Sequence, residues 1–337
     1  MATAMIRCLR KAFPLSQIDM VTRADFLDLI SHNPHLDRKV GLPRNQGLGG
    51  LQRLYRDIQS QRYDLIYDAH RSLRSTLLMP LLHAEKKVFF NKRYLRRDLA
   101  LTFKLPLMQG WPRTLERYLE PLAPLGVTYD GKGPEIFVAP ESHQSVSQKL
   151  PRFSSSQGQA WVGLIPSAQW PGKRWPLDRF RKVMEGLIEK TPHRLIVLGG
   201  KEDTFCESLS QGLPPERVVN AQGKLSIAES AAALSRCAFV IANDTGMMHV
   251  ADALAVPSVL MLGPTSRELG CLPFHPLSEI LEHNLWCRPC SKNGQAPCLR
   301  RQRVCLENTT VEMVLNASLR LSQRLNLPLL RPVEIPQ

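Results

Sequence analysis

The stretch that decides the fold is Phe239-Val-Ile-Ala-Asn-Asp-Thr-Gly-Met-Met-His249. Its apolar first half predicts a buried strand, and the residues after it predict the start of a helix. At the carboxyl end of such a strand, the helix amino terminus presents backbone N–H groups and a partial positive charge, which suit an anion. Taken alone, Asp244 would be an ordinary N-cap and His249 a buried core residue.

A second connection also leads from a predicted buried strand to the amino terminus of a predicted helix, which suits an anion. It leads from Gly163-Leu-Ile-Pro-Ser167 to Gly172-Lys-Arg-Trp-Pro176, with a proline at the first turn of the predicted helix. The Ser167 hydroxyl, the loop glycine and Lys173 suit a diphosphate. The spacing fits neither a Walker loop nor the Gly-x-Gly-x-x-Gly fingerprint. A nucleotide site therefore has to be built from two separate loops that face one cleft.

The rest of the 337-residue chain alternates short β-rich runs with amphipathic helices, which is typical of α/β domains with parallel sheets. We expect two such domains, residues 1–150 and 151–337, joined by a Ser-, Gln- and Pro-rich linker over 139–159. The predicted strands span 17–21, 64–67, 87–90, 161–165, 194–198, 218–219, 238–241 and 258–262. The predicted helices lie near 3–11 and start near Ala24, Arg71, Pro176, Glu202, Ser226 and Thr245, with a final helix after a cysteine-rich loop, 287–305.

The start of the chain departs from the usual order of elements. An α/β domain of this kind normally opens with a buried strand, whereas residues 2–12 predict a helix that Phe13-Pro14 ends. We therefore expect that a first strand is missing. A genuine amino-terminal helix is the alternative.

Composition and charge exclude several classes of protein. The hydrophobic fraction of 43% excludes wholesale disorder, and no run approaches the ~18 apolar residues of a membrane span. Because the first ten residues lack a signal-peptide pattern, we predict a cytoplasmic protein. The net charge is +14, and residues 1–150 carry +9 of it. Such a charge suits nucleic acid, an anionic membrane or a phosphorylated substrate, although a solvated basic face is the simpler alternative.

Several segments of the second half, in this order and spacing, resemble the glycosyltransferase family that contains the ADP-heptose:lipopolysaccharide heptosyltransferases. They are Leu164-Ile-Pro-Ser167, Lys173-Arg-Trp-Pro176, Ser226-Ile-Ala-Glu229, Asn243-Asp-Thr-Gly-Met-Met-His249 continuing to Pro257, and Gly263-Pro-Thr265. The first half agrees more loosely, through Asn33-Pro-His-Leu-Asp37 and Tyr63-Asp-Leu-Ile-Tyr-Asp68. The resemblance implies a GT-B fold, with two Rossmann-like α/β domains whose parallel sheets face an interdomain cleft. It places the nucleotide sugar in the carboxyl-terminal domain and the acceptor in the amino-terminal one.

The resemblance also assigns roles to residues of the donor site, with an ADP-sugar as the implied donor. Lys173 would contact the donor phosphates, and the backbone N–H groups of Thr245 and Gly246 would bind the diphosphate beside Asp244. Glu229 would accept hydrogen bonds from the adenosine ribose. Two further residues complete the implied site, Ser167 at a phosphate oxygen and His249 against the loop or the donor. Lys173 and the helix amino terminus would stabilise the departing diphosphate without a metal cofactor.

The implied reaction inverts the sugar and needs one base to take the proton of the attacking hydroxyl. That base resembles an Asp in a Gly-Asp loop that would precede Ala2. We therefore expect this polypeptide to be inactive or nearly so, unless Asp68 substitutes as the base. The implied acceptor is the phosphate-bearing inner core of lipopolysaccharide at the cytoplasmic face of the inner membrane. Six cations are predicted to hold it: Arg71, Arg74, Lys92, Arg93, Arg96 and Arg97.

Four of the eight cysteines follow the pattern Cys287-x2-Cys290-x7-Cys298-x6-Cys305. Four thiolates within reach of one another suit a tetrahedral structural zinc, although the later spacing is not that of a standard finger. Free thiols or a disulfide are the alternatives.

Two other function classes also stay open. One is a nucleic-acid-binding protein, whose binding would fall steeply with salt, and the other is an inactive relative that still binds a sugar nucleotide.

Overall fold

The computed structural model describes residues 1–43, 47–154 and 159–330. The chain forms two compact units, of which the first contains residues 1–95 and 110–137. The second contains residues 96–109 and the chain from Val138 onward. The expected boundary at residue 150 therefore differs from the observed one, since residues 138–150 group with the second unit.

The first unit contains two short parallel sheets among its described residues, where the sequence predicts one. In one sheet β1 (Asp19–Arg23) pairs with β2 (Arg38–Leu42), and in the other β3 (Tyr63–Asp68) pairs with β4 (Ala84–Phe89). The helices are α1 (Ala2–Ala12), α2 (Gly47–Gln59), α3 (Leu73–Leu78), α4 (Tyr94–Phe103), which runs into the second unit, and α5 (Thr114–Leu119). The predicted helix at Ala24 is only a 3₁₀ segment, Ala24–Leu29.

The amino-terminal helix α1 is held by a buried cation. The Arg7 guanidinium is 6% exposed and pairs with Asp130 at 2.8 Å and with Glu135 at 2.9 Å. It also donates hydrogen bonds to the carbonyl oxygens of Lys132 and Gly133. The hydrogen bond from Arg7 holds the pKa of the Asp130 carboxyl well below its usual range. The residues 130–135 are thereby fixed to α1.

Six parallel strands form the sheet of the second unit, in the order β10-β9-β8-β5-β6-β7. Their bounds are Trp161–Ile165 for β5, Arg194–Val197 for β6, Val218–Asn220 for β7, Cys237–Asn243 for β8, Ser258–Leu262 for β9 and Glu279–Glu282 for β10. This is the Rossmann strand order, in which the winding reverses between the first and fourth strands. The reversal lies between β5 and β8, so a crevice is expected at their carboxyl ends.

The helices of the second unit surround that sheet. They are α6 (Pro140–Lys149), α7 (Pro151–Ser154), α8 (Leu177–Lys190), α9 (Ile227–Leu234), α10 (Gly246–Ala253), α11 (Val304–Glu307) and α12 (Val311–Arg324). One apolar cluster joins the strands to α8 and α12 through side chains such as Phe180, Phe239 and Val314. Among the described residues, no helix combines the length and apolarity needed to cross a bilayer.

The predicted linker over 139–159 is wrong for residues 140–154, which form α6 and α7. Pro140 occupies the first turn of α6, where a missing N–H is tolerated. Few apolar side chains anchor the two helices, chiefly Val146 and Phe153, both almost fully buried. Because the remaining positions are largely polar, the sequence carries too weak a helical periodicity to be recognised. Residues 155–158 lie outside the described residues.

Candidate functional site

The structure brings Lys173 and Asp244 together at the point where the sheet reverses its winding. Lys173 ends a short turn after β5, and Asp244 is the first residue after β8. The Lys173 Nζ lies 2.7 Å from Asp244 Oδ2, and the two side chains are only 13% and 11% exposed. The Thr265 hydroxyl donates to the same oxygen at 2.6 Å. The Asp244 carboxylate therefore orients the Lys173 ammonium, and it is itself held by the hydrogen bond from Thr265.

Asn243, the last residue of β8, ties the two loops to each other. Its side chain is fully buried, and its Oδ1 accepts a hydrogen bond from the backbone N–H of Trp175 at 3.0 Å. Its Nδ2 donates to the carbonyl oxygen of Pro166 at 2.7 Å. Sequence reasoning assigned no role to Asn243 or to Thr265. A polar amide at the end of an otherwise apolar buried strand was the available signal.

The start of α10 provides open backbone groups beside Lys173. Thr245 is the N-cap residue, so the alternative that Asp244 is an ordinary N-cap is wrong. Gly246 is exposed, and a Cβ atom added there would meet nothing within 4 Å. The first-turn N–H groups of a helix lack intrahelical partners, so they are available to an anion that approaches this open side.

His249 lies one turn into α10. Its Nδ1 is buried and has no hydrogen-bond partner among the described residues. Burial lowers the pKa of His249 to about 4, so its imidazole is neutral at physiological pH. His249 can therefore offer a neutral donor or acceptor to a ligand, but it does not supply positive charge for a phosphate.

Glu229 has a structural role in addition to the one predicted for it. It forms a capping box with Ser226 at the start of α9, and its Oε1 accepts a hydrogen bond from Ser145 of α6. Lys149 Nζ lies 2.7 and 2.8 Å from its two oxygens. Burial would raise the pKa of the Glu229 carboxyl, but the hydrogen bonds from Lys149, Ser145 and the Ser226 N–H lower it to about 2. The carboxylate thus fastens α6 to α9, and its contact with a ribose stays a prediction. Ser167 is partly buried, two residues after β5.

Asp68 ends β3 in the first unit. Its Oδ1 accepts hydrogen bonds from the backbone N–H groups of His70 at 3.0 Å and Arg71 at 2.6 Å. Its Oδ2 is buried and has no partner within the described part of the chain. One oxygen thus shapes the turn before α3, and the other keeps a free lone pair. Its role as a base stays a prediction.

The predicted acceptor cations differ in their surroundings. Arg71 and Arg74 are exposed in the first unit, whereas Arg93 there binds both oxygens of Glu120 at 2.8 and 2.9 Å. Lys92 donates to the carbonyl oxygen of Arg71. In the second unit Arg96 is exposed, while Arg97 is buried and pairs with Asp98 at 2.7 Å. Arg71 and Arg74 are therefore exposed to an acceptor anion, whereas Arg93 and Arg97 already bind protein carboxylates.

The four clustered cysteines lie near one another. All eight cysteines of the chain are described and each is a free thiol, so the disulfide alternative is not adopted. Burial raises the pKa of the Cys305 thiol to about 11, and its neighbours Cys287, Cys290 and Cys298 act in the same direction. Over residues 1–43, 47–154 and 159–330, no three His, Cys, Asp or Glu side chains converge as metal ligands. The structural zinc stays a prediction.

Comparison with known proteins gives the family. The model of glycosyltransferase family 9 (heptosyltransferase) matches residues 51–298. The chain is 24% identical over 279 residues to lipopolysaccharide heptosyltransferase 2 of Escherichia coli strain K12, covering 80% of each chain. The structure of a family 9 glycosyltransferase from Veillonella parvula is similar at a TM-score of 0.78, with 22% identity over 96% of this chain and 93% of that one.

A further similar structure is E. coli heptosyltransferase WaaC with ADP-2-deoxy-2-fluoro heptose, at a TM-score of 0.66 and 17% identity over 96% of both chains. These likenesses confirm the predicted α/β fold with parallel sheets and the GT-B class. The family match covers well over half of the chain, including both loops that meet at Lys173 and Asp244. The chain therefore belongs to glycosyltransferase family 9, the heptosyltransferase family.

Proposed function

We propose that the chain transfers heptose, or a related sugar, from an ADP-sugar to the inner core of lipopolysaccharide. The observation that carries this proposal is the Lys173–Asp244 pair beside the open amino terminus of α10. Ligands of open α/β sheets bind where the winding reverses, and this pair lies there. The heptosyltransferase solved with an ADP-heptose analogue is similar in fold, and the E. coli lipopolysaccharide heptosyltransferase is similar in sequence.

In the proposed reaction, an acceptor hydroxyl attacks the anomeric carbon of the sugar and the diphosphate leaves. Negative charge grows on the departing oxygen, and Lys173 with the N–H groups of Thr245 and Gly246 is placed to stabilise it. Asp244 and Thr265 hold the ammonium in position before the donor arrives. The hydroxyl loses its proton to a base, and we propose Asp68 for this step because it ends β3 and its Oδ2 has no hydrogen-bond partner among the described residues.

The proposed function is tested by calorimetry followed by turnover. We expect the chain to bind ADP more tightly than UDP or GDP and, with Asp68 as the substitute base, to release ADP from ADP-heptose with a heptose-free core acceptor. Equal affinity for the three nucleotides would contradict the donor assignment. ADP binding without turnover would instead support the inactive relative, and salt-sensitive binding of generic DNA without ADP binding would support the nucleic-acid alternative.

The acceptor is proposed to meet the exposed arginines of the first unit. We expect Arg71→Glu combined with Arg74→Glu to raise the KM for the core acceptor by about tenfold, because each reversal replaces attraction to an acceptor phosphate with repulsion. The affinity for ADP should stay unchanged. Lys182→Glu, an exposed reversal on α8, is the matched control. A loss of ADP affinity with an unaltered acceptor KM would contradict the assignment.

A peripheral contact with an anionic membrane is also proposed. Leu73, Leu77 and Leu81 recur every fourth residue in and after α3 and are 79%, 61% and 59% exposed. Exposed cations, Arg74 and Lys86, lie in the same part of the sequence. Exposed apolar side chains interspersed with cations fit the interface of a bilayer that contains acidic lipids.

Vesicles of phosphatidylglycerol and phosphatidylethanolamine test this contact. Leu73→Ser combined with Leu77→Ser should weaken sedimentation with them by about tenfold, since apolar area is lost from the interface. Leu299→Ser removes an equally exposed leucine of the second unit and serves as the control. Equal loss in both variants would contradict a membrane face at α3.

A further inference from the structure

We propose that Gly294, in the cysteine-rich loop, is a positioning residue that sets the place of Lys173 in the donor site. The proposal rests on the proposed donor role of Lys173. Gly294 is buried and has a φ of +75°, in the left-handed region. A Cβ atom built on it would lie 2.8 Å from both Cγ and Cε of Lys173 and 2.9 Å from Cγ of Pro264. The loop backbone thus lies directly against the aliphatic stem of the lysine.

The loop is attached on both sides of this contact. The backbone N–H of Cys290 donates to the carbonyl oxygen of Pro264 at 2.8 Å. After the glycine, Arg303 Nη1 donates to the carbonyl oxygens of Pro171 at 2.7 Å and Arg174 at 3.2 Å. Those two carbonyls lie two residues before and one residue after Lys173. The cysteine-rich loop and the lysine turn are therefore joined as one piece of structure.

Confinement of the stem matters because a lysine ammonium is a point charge on a flexible four-carbon chain. With the loop in place, the Nζ stays 2.7 Å from Asp244. The turn that carries Lys173 also packs against the loop, because a Cβ on Gly172 would be 3.1 Å from the Gly294 carbonyl oxygen. A cavity of about 270 Å³ adjoins the loop and is lined by Gly172 and Gly294 as well as by Cys290, Cys298 and Cys305. The glycine, rather than the cysteines, makes the contact with the lysine.

Gly294→Ala is the test, with Gly212→Ala as its control. Gly212 has a φ of +71°, and a Cβ there would meet nothing within 4 Å, so both variants carry the same backbone strain but only one adds a contact. We expect Gly294→Ala to lower the affinity for ADP by about tenfold, because a shift of the ammonium by about 1 Å is enough for such a loss. Gly212→Ala should bind ADP as the unchanged chain does.

A combined variant shows whether the effect passes through the lysine. In a Lys173→Ala background the stem is absent, so Gly294→Ala should lower ADP affinity no further. An additional tenfold loss there would overturn the proposal. If Gly294→Ala fails to fold, Arg303→Gln loosens the same loop without adding a methyl group, and it should reproduce the loss in weaker form. Unchanged ADP affinity in Arg303→Gln would then overturn it.

A second measurement needs no ligand and separates this proposal from the donor assignment. Reductive methylation of Lys173, followed by mass spectrometry of its peptide, should be faster in Gly294→Ala than in Gly212→Ala, since the displaced ammonium leaves Asp244. If the unchanged chain does not bind ADP, the donor assignment fails while this comparison still tests the packing. Equal methylation rates in the two variants would overturn the positioning role.

Discussion

Lys173→Ala is expected to weaken ADP binding by between about 1.5 and 3 kcal/mol, the scale of a hydrogen bond to a charged group. The reason is that the ammonium is partly shielded from water, with a side chain 13% exposed, and lies beside the open N–H groups of α10. Its removal also leaves the Asp244 carboxylate facing the donor with Thr265 as its remaining described partner. A carboxylate without its ammonium repels a diphosphate. Calorimetry with ADP measures the loss.

Two control variants test whether the loss of ADP affinity is specific to the ammonium of Lys173. Lys173→Arg keeps a positive charge and should recover part of the affinity, although its planar guanidinium does not occupy the same position. Lys182→Ala removes an exposed cation of α8 and should leave ADP binding unaltered. If Lys173→Ala bound ADP as tightly as the unchanged chain, the lysine would not contact the phosphates and the site would have to be sought elsewhere.

Arg7→Met is expected to destabilise the first unit by about 3–5 kcal/mol, because it leaves two carboxylates without their buried partner. The guanidinium pairs with Asp130 and Glu135 and is 6% exposed, so water does not replace it. Methionine has a similar length and keeps the apolar packing of α1. Denaturant unfolding, together with hydrogen exchange of the α1 amides, measures the change.

The control for this variant is Lys11→Met on the same helix. Lys11 contacts the same Asp130 at 2.6 Å, but its side chain is 54% exposed, so its loss should cost at most about 1 kcal/mol.

The pH dependence of stability provides a further check. Because the folded pKa of Asp130 is lowered, its stabilisation is complete above its unfolded pKa of about 3.9 and is lost as the pH falls. The difference between Arg7→Met and the unchanged chain should therefore shrink in acid. A difference that is constant with pH would contradict the Arg7–Asp130 assignment.

Local patterns in the sequence were enough to predict five of the six strands in the sheet of the second unit, but not β10. β5 and β9 have the bounds that their apolar runs predict, and α1 spans the predicted amino-terminal helix. Lys173 and Asp244 were expected to meet, and they do. Such predictions succeed because a buried strand and the helix after it are encoded by neighbouring residues.

The tertiary structure alone decided the attachment of α6. Its polar sequence predicts a linker, yet Lys149 and Ser145 hydrogen-bond to Glu229, about eighty positions away in the chain. An isolated helix of ten residues is marginal in water, so its stability comes from tertiary contacts, namely the buried Val146 side chain and this distant carboxylate.

The same distinction applies to the residues around Lys173. The sequence by itself determined the parallel sheet, the two loops and the family that they resemble. Only the folded chain showed that Asn243 joins the loops and that Gly294 lies on the lysine stem. Each of these contacts joins residues about seventy or more positions apart, and no local periodicity records which distant backbone will pack against a given side chain.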